Sequence, residues 1–248
     1  MLPAGDVQQV PRSSLINHSD SSFYHLVRRL GAPLRYRVIG LQHIRAGGPA
    51  IFVCNHLGSL GPVQAILSVP VRFYPWVVSD MVNSQQAPAY LYQDFVAPVW
   101  KLRGRLGMVV STLLSLIAVH LLMGLDSIPV NRLRNRYVDA FRRSLELLHA
   151  GQNLLIFPED AAQPADPQTR LHPFLCGFLG LCYMYQHTAG QPLPIFPMAV
   201  HPASHTVTIG EAIYYEEQGE RRESVAAVCQ RLRQRVGELY LTQERRAT

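Results

Sequence analysis

The chain has 248 residues, 48% of them hydrophobic and 16% charged, with a formal net charge of +6 from 23 Lys and Arg against 17 Asp and Glu. That length suits one α/β domain or at most two small ones, and the balance excludes a disordered chain, which needs few apolar residues and a high net charge. It also excludes collagen-like, coiled-coil and disulfide-scaffold classes. The scattered basic residues, without interleaved aromatics or helix–turn–helix spacing, argue against a nucleic-acid partner.

Residues 1–20 are mixed and polar, with Pro3 and Pro11 and no secretory pattern, and read as a flexible tail. After the Gly47-Gly48-Pro49 turn, Ile51-Phe52-Val53-Cys54 is a β-type run that leads straight into Asn55-His56. A Gly-containing turn, Leu57-Gly58-Ser59-Leu60-Gly61-Pro62, follows, and then an apolar stretch over 63–69. Residues 107–125 carry no formal charge, with Arg103 and Arg105 before them and Asp126 after. The length suits a membrane span of about 20 residues. The glycines at its ends and Ser111, Thr112 and Ser115 favour instead a helix that lies on the bilayer or is buried in the core.

Further β-type runs fall at 127–130, 153–157, 194–200 and 206–209. Short, fully apolar runs suit strands covered on both faces. Pro129, Pro194 and Pro197 predict edges or strand ends in two of them. Between the second and third runs, Val138, Phe141, Leu145 and Leu148 repeat at helical spacing, stopped by Gly151; Val225, Val228, Leu232, Val236 and Leu239 repeat it near the end. This alternation predicts an α/β fold with a mixed, mostly parallel central sheet flanked by helices. Cys54, Cys176, Cys182 and Cys229 lack CxxC spacing and read as buried, reduced thiols, neither a zinc site nor a disulfide framework. Every cation except Lys101 is an arginine. The Arg fork suits phosphate or a membrane surface, although a codon bias toward Arg gives the same composition.

Chemistry is expected at the strand ends. His56, at the carboxyl end of a strand, sits where open α/β sheets bind ligands, and a neutral imidazole can take a proton from a hydroxyl near pH 7. The plainer alternative is a turn histidine bonded to local backbone. Arg132 ends the second run, and Glu159 and Asp160 end the third. The segment around Ser59 approximates a Gly-x-Ser-x-Gly nucleophile elbow but has Leu57 in place of the first Gly. His172, His187, His201 and His205 have no context that would complete a serine-hydrolase set.

Taken in order, Asn55-His56, residues 127–132, Phe157-Pro158-Glu159 and residues 193–200 resemble the four blocks of the glycerolipid acyltransferase family. Its best-known members convert lysophosphatidic acid to phosphatidic acid. The lead-in Tyr36-Arg37-Val38-Ile39-Gly40 and residues 174–177 and 209–213 resemble its flanking landmarks, so the likeness runs from about residue 23 to 240. It implies an acyltransferase-like domain over 21–240, followed by a C-terminal tail over 241–248. It also implies that His56 deprotonates an acceptor hydroxyl, which attacks an acyl-CoA or acyl-carrier-protein thioester without cofactor or metal. Arg132 and Glu159 would serve the acceptor site, with Asn55 grouped with them as a local support. The partners would be a lipid acceptor, the acyl thioester and the membrane surface, with the protein peripheral or monotopic on its cytoplasmic face. Apolar runs at 108–125 and 174–181 would accommodate acyl chains.

Two blocks depart from the family pattern. Gly61 stands where the family has the aspartate that orients the histidine, and Asp160-Ala161-Ala162 replaces Gly-Thr-Arg. In one reading the enzyme is active, with Asp160, or the more remote Asp80, orienting His56. In the other the chain is a catalytically impaired lipid-binding or regulatory homologue.

Overall fold

The structure is a computed structural model that describes residues 22–44, 48–57, 60–97, 100–131 and 138–247. The expected tail over 1–20 lies outside them. Seven strands form one sheet: β1 (Arg37–Ile39), β2 (Ala50–Cys54), β3 (Phe73–Val78), β4 (Ile128–Val130), β5 (Asn153–Ile156), β6 (Ile195–His201) and β7 (Thr206–Ile209), in the order β1-β7-β6-β2-β5-β3-β4. β6, β2, β5, β3 and β4 run parallel. β7 is antiparallel to β6, and β1 is parallel to β7, so one sheet edge is reversed. The expected mixed, mostly parallel α/β sheet is the one observed.

Strand β2 shows why its run is apolar throughout. Ile51 and Val53 face one layer, formed by α5 (Val138–His149), α6 (Gly180–Ala189) and α7 (Arg221–Ala247). Ala50, Phe52 and Cys54 face the other, where α1 (Ser22–Leu30) contributes Tyr24 and α2 (Leu60–Ser68) contributes Ala65 and Ile66. All five residues of β2 are buried, as a strand covered on both sides requires.

The prolines divide. Pro129 lies in the edge strand β4, as expected, but Pro197 lies in β6 at the centre of the sheet. Pro197 is accommodated because the β7 side carries one extra residue there. Ile195 pairs with Ile213 and Met198 with Ile209, so four steps oppose three, and the missing N–H falls within a bulge. Strands β1 and β3 were not expected as such.

Between β3 and β4 come α3 (Ala87–Leu91), a π-helical turn over Tyr92–Val96, and α4 (Gly104–Gly124). Helix α4 is 21 residues long, with a mean hydropathy of 2.2 over its most apolar window, which makes it about 31 Å long. Small residues at every fourth position, Gly107, Ser111 and Ser115, are buried with Val119, whereas Leu106, Val109, Leu113, Leu116, Ile117 and Met123 are exposed. At Gly107 an added Cβ would lie 2.4 Å from the Leu102 carbonyl oxygen and 2.8 Å from the Tyr92 ring. The helix is therefore inside-out, packing its small face on α3 and on the turn at Ser79–Val82. It is not buried in the core.

Two further expectations are corrected. The chain does not trail off at 241: α7 continues to Ala247, and Gln243 in its last turns is 2% exposed. Cys176 and Cys229 are joined in a disulfide, their Cα atoms 5.7 Å apart across a sequence separation of 53, within the span a disulfide bridges. It ties the turn at Cys176–Leu179 to α7. Cys54 and Cys182 are free and buried. Burial pushes the Cys182 thiol up to about 12, and burial, then the Glu159 charge, pushes Cys54 well above the ordinary thiol range. The thiolate is the reacting form, so near neutral pH a maleimide should label no cysteine in the folded protein. It should label two in denaturant and four after reduction. Four labelled without reductant would contradict the Cys176–Cys229 bond.

Candidate functional site

The carboxyl ends of β6, β2, β5, β3 and β4 share one edge of the sheet. Asn55 and His56 follow β2, Glu159 and Asp160 follow β5 after Phe157 and Pro158, and Asn131 follows β4. Arg132 lies outside the described residues.

Asn55 is fully buried. Its Nδ2 donates to the Val200 carbonyl at 3.0 Å and its Oδ1 accepts from the Val200 N–H at 2.7 Å. The side chain continues the β2–β6 ladder one step past the last paired residue and fixes where the chain leaves the sheet. That is the work of a local support; these contacts place its amide toward β6 and not toward an acceptor.

Glu159 is 6% exposed, and its two oxygens serve two loops. Oε1 accepts the His56 N–H at 2.6 Å and Oε2 accepts the His172 N–H at 2.8 Å. Such charge-assisted bonds are roughly twice as strong as neutral ones. In the structure Glu159 is thus a positioning residue: it holds the backbone at His56 and at the end of the 160–172 excursion. That excursion is closed by the Asp160 N–H donating to Pro173 O and the Leu175 N–H donating to Pro158 O. Within it, the Thr169 backbone N–H and then the Thr169 hydroxyl hold the Asp166 carboxyl below its usual range.

The His56 side chain is exposed at this edge, and its ring meets Phe157 edge to face at 5.4 Å between centroids. Leu57 next adopts φ 45°, in the left-handed region that costs an L side chain about 1–2 kcal/mol. Backbone strain of this kind gathers at functional turns. Asp160 sits one strand over, with Oδ1 accepting the Ala162 N–H at 3.2 Å in its own turn. Asp80 follows β3, two strands from β2, or about 10 Å at ~4.8 Å per strand; its Oδ1 accepts the Ser79 hydroxyl at 3.2 Å.

At position 61, where the family resemblance implies an aspartate, the backbone leaves no room for one. The Gly61 N–H donates to His56 O at 3.0 Å, and a Cβ on Gly61 would lie 2.3 Å from both Asn55 O and His56 O. Those are backbone atoms, which cannot swing aside. No side chain fits here while the turn keeps this path.

A shallow groove of about 500 Å³ opens at the ends of β3 and β4, with Ser79, Pro129, Asn131, Arg142 and Arg143 among its walls. Arg142 pairs with Asp139 at 2.8 Å and Arg143 with Glu146 at 3.4 Å. Among the described residues no cluster of His, Cys, Asp and Glu could hold a metal ion. Ser59 of the approximate nucleophile elbow lies outside the described residues. A different histidine, His201, is bonded to Ser204 and Glu244 at the end of β6. The His-x-x-Ser spacing of that pair is visible in the sequence.

The sheet order and flanking helices define a mixed, mostly parallel α/β fold. The structure is similar to that of the 1-acyl-sn-glycerophosphate (LPA) acyltransferase PlsC from Thermotoga maritima, with a TM-score of 0.54 and 15% sequence identity over 92% of this chain and 85% of that one. At that identity the likeness is one of fold. Neither a family model nor a curated sequence matches the chain.

Restoring the family's aspartate as Gly61→Asp should fail to create a dyad. We expect a loss of more than about 2 kcal/mol in urea unfolding, from backbone forced to move around the new side chain. Unchanged stability with a gain in acyl transfer would contradict the closed position.

Proposed function

We propose that this protein transfers a fatty acyl group from an acyl-CoA or acyl-carrier-protein thioester to a hydroxyl of a lysophospholipid or related lipid at a membrane surface. The observation that carries this reading is the placement of His56. Its imidazole is exposed at the carboxyl end of a central strand, and its backbone is anchored by Glu159, on the fold that an LPA acyltransferase also adopts. His56 takes the acceptor hydroxyl proton, the resulting alkoxide attacks the thioester carbonyl, and the thiol leaves with a proton. Asp160, one strand away, is the proposed orienting acid. The groove at Asn131, Arg142 and Arg143 is the proposed headgroup site; Arg132, next in sequence after Asn131, is the further cation proposed to serve it. With Asp160 where the family has Gly of Gly-Thr-Arg, a neutral or zwitterionic lyso-lipid suits the site better than a phosphate monoester.

Helix α4 supplies the membrane contact in this reading. Its N-terminal end carries three exposed cations, Lys101, Arg103 and Arg105, each worth about 1 kcal/mol against an anionic surface. Sinking six half-exposed apolar side chains into acyl chains contributes on the order of 5–10 kcal/mol. One face of α4 is committed to α3, so the helix lies along the bilayer without crossing it. The closed position at Gly61 favours a second reading, a lipid-binding homologue without turnover.

Two measurements separate them. With vesicles, labelled acyl-CoA and a panel of lyso-lipids, wild type should incorporate label and His56→Ala should lose at least about a hundredfold. Equal incorporation by both would remove the catalytic claim and leave the binding one. In flotation assays, wild type should bind anionic vesicles more tightly than zwitterionic ones. Leu113→Glu with Ile117→Glu should weaken binding more than about tenfold without unfolding the protein, since both side chains are exposed. Wild-type binding in the double variant would remove α4 as the docking face.

A further inference from the structure

A second polar cluster stands at the carboxyl end of β6. His201 is fully buried, yet both ring nitrogens are engaged. Nε2 is hydrogen-bonded to a carboxylate oxygen of Glu244, from the last turns of α7. Nδ1 lies 2.7 Å from Ser204 Oγ and also accepts the Ser204 backbone N–H at 3.2 Å. A nitrogen that accepts a backbone N–H is the unprotonated one, so the proton sits on Nε2 and faces Glu244. The Tyr240 ring packs edge-on against the imidazole at 4.8 Å and screens it from water. Ser204 Oγ is also 2.7 Å from Thr206 Oγ1. The serine rides on the Pro202–His205 turn that joins β6 to β7, half-buried itself between exposed Ala203 and His205.

This is a hydroxyl, a neutral imidazole and a carboxylate linked in series, with the tautomer that a base requires. We propose that Ser204, His201 and Glu244 form a nucleophilic acyl-transfer site, separate from His56, that takes carboxylic ester or thioester carbonyls. Such a constellation is recognised by roles and geometry, not by chain order. Here Nδ1 faces the serine and Nε2 the acid, which either nitrogen can do when the other carries the proton. Ser204 Oγ attacks the acyl carbon as its proton passes to His201 Nδ1, and Glu244 stabilises the imidazolium. The carbonyl π electrons move to oxygen and return as the alcohol or thiol leaves, taking the proton from Nδ1. Water or a second hydroxyl then attacks the acyl-serine, giving its proton to Nδ1, and the released serine oxygen recovers it.

The neighbourhood supports a working role. β6 is the direct neighbour of β2, and Asn55 locks its amide onto Val200, the residue before His201. A carboxylate–imidazole pair, Glu244 with His201, thus stands at the end of the strand next to the one that carries His56. The proposal does not rest on the function assigned to His56. Glu244 bonds the ring, Tyr240 packs on it, and the Arg170 charge acts on Tyr240.

The test uses the full chain and a fluorophosphonate, whose phosphorus an activated serine attacks with loss of fluoride. Peptide mapping of the folded wild type should place the adduct at Ser204, and denatured protein should carry none. In Glu244→Gln, which alters a half-exposed carboxylate, labelling should slow at least tenfold. The rise of its rate with pH should move to lower pH, because the amide no longer stabilises the imidazolium. No adduct at Ser204 in the folded wild type overturns the proposal and leaves the cluster as a tie between the β6–β7 turn and α7. An unchanged rate and pH profile in Glu244→Gln also overturns it. Neither result bears on His56, since the label reads Ser204 and not transfer to lipid.

Discussion

The arrangement at the carboxyl edge of the sheet hangs on one buried carboxylate. Glu159 comes from the β5 side and accepts N–H groups from two other segments, at His56 and His172. Burying a charge is tolerable only when its lone pairs are occupied, and here backbone dipoles do that work in place of a cationic side chain. The consequence reaches position 61. The His56 peptide donates to Glu159, and its carbonyl receives the Gly61 N–H, so the turn into α2 is held from both ends. A turn drawn that tight has no room for a Cβ, so the identity of residue 61 is set by the backbone path.

Much of the fold was legible because strands buried on both faces write themselves as unbroken apolar runs. Residues 51–54 and 154–156 are such runs, and each lies in a strand; at 206–209 Thr206 and Thr208 alternate with Val207 and Ile209, and all four are buried. Strand β1 escaped because three residues at a sheet edge, none of them buried, carry no periodicity. Strand β3 escaped because Pro75 interrupts an aromatic segment. It pairs with β5 through Pro75 and with β4 from Trp76 onward, an offset that sequence does not announce. Pro197 misled for a related reason, since a bulge is a property of two strands and not of one.

The site was legible in position more than in role. That Asn55, His56, Glu159 and Asp160 fall at strand ends follows from the runs that precede them. What Asn55 and Glu159 hold does not, because their partners are backbone groups of residues 200 and 172 that only the fold brings near. The Cys176–Cys229 bond is of the same kind, closed by tertiary packing across a long separation. The Glu244 contact to His201 was hidden by reading the last helix as finished at 240.

Helix α4 sets different rules for its two faces. At 107, 111 and 115 a larger residue would meet packed neighbours, so only small side chains suit the inner stripe. At 106, 109, 113, 116 and 117 nothing in the domain measures shape, and Leu, Ile, Val, Met or Phe are interchangeable. Mutational drift along the outer stripe is therefore not filtered by packing inside the domain. Deep mutational scanning would register it as broad tolerance to apolar change beside near-intolerance one residue away.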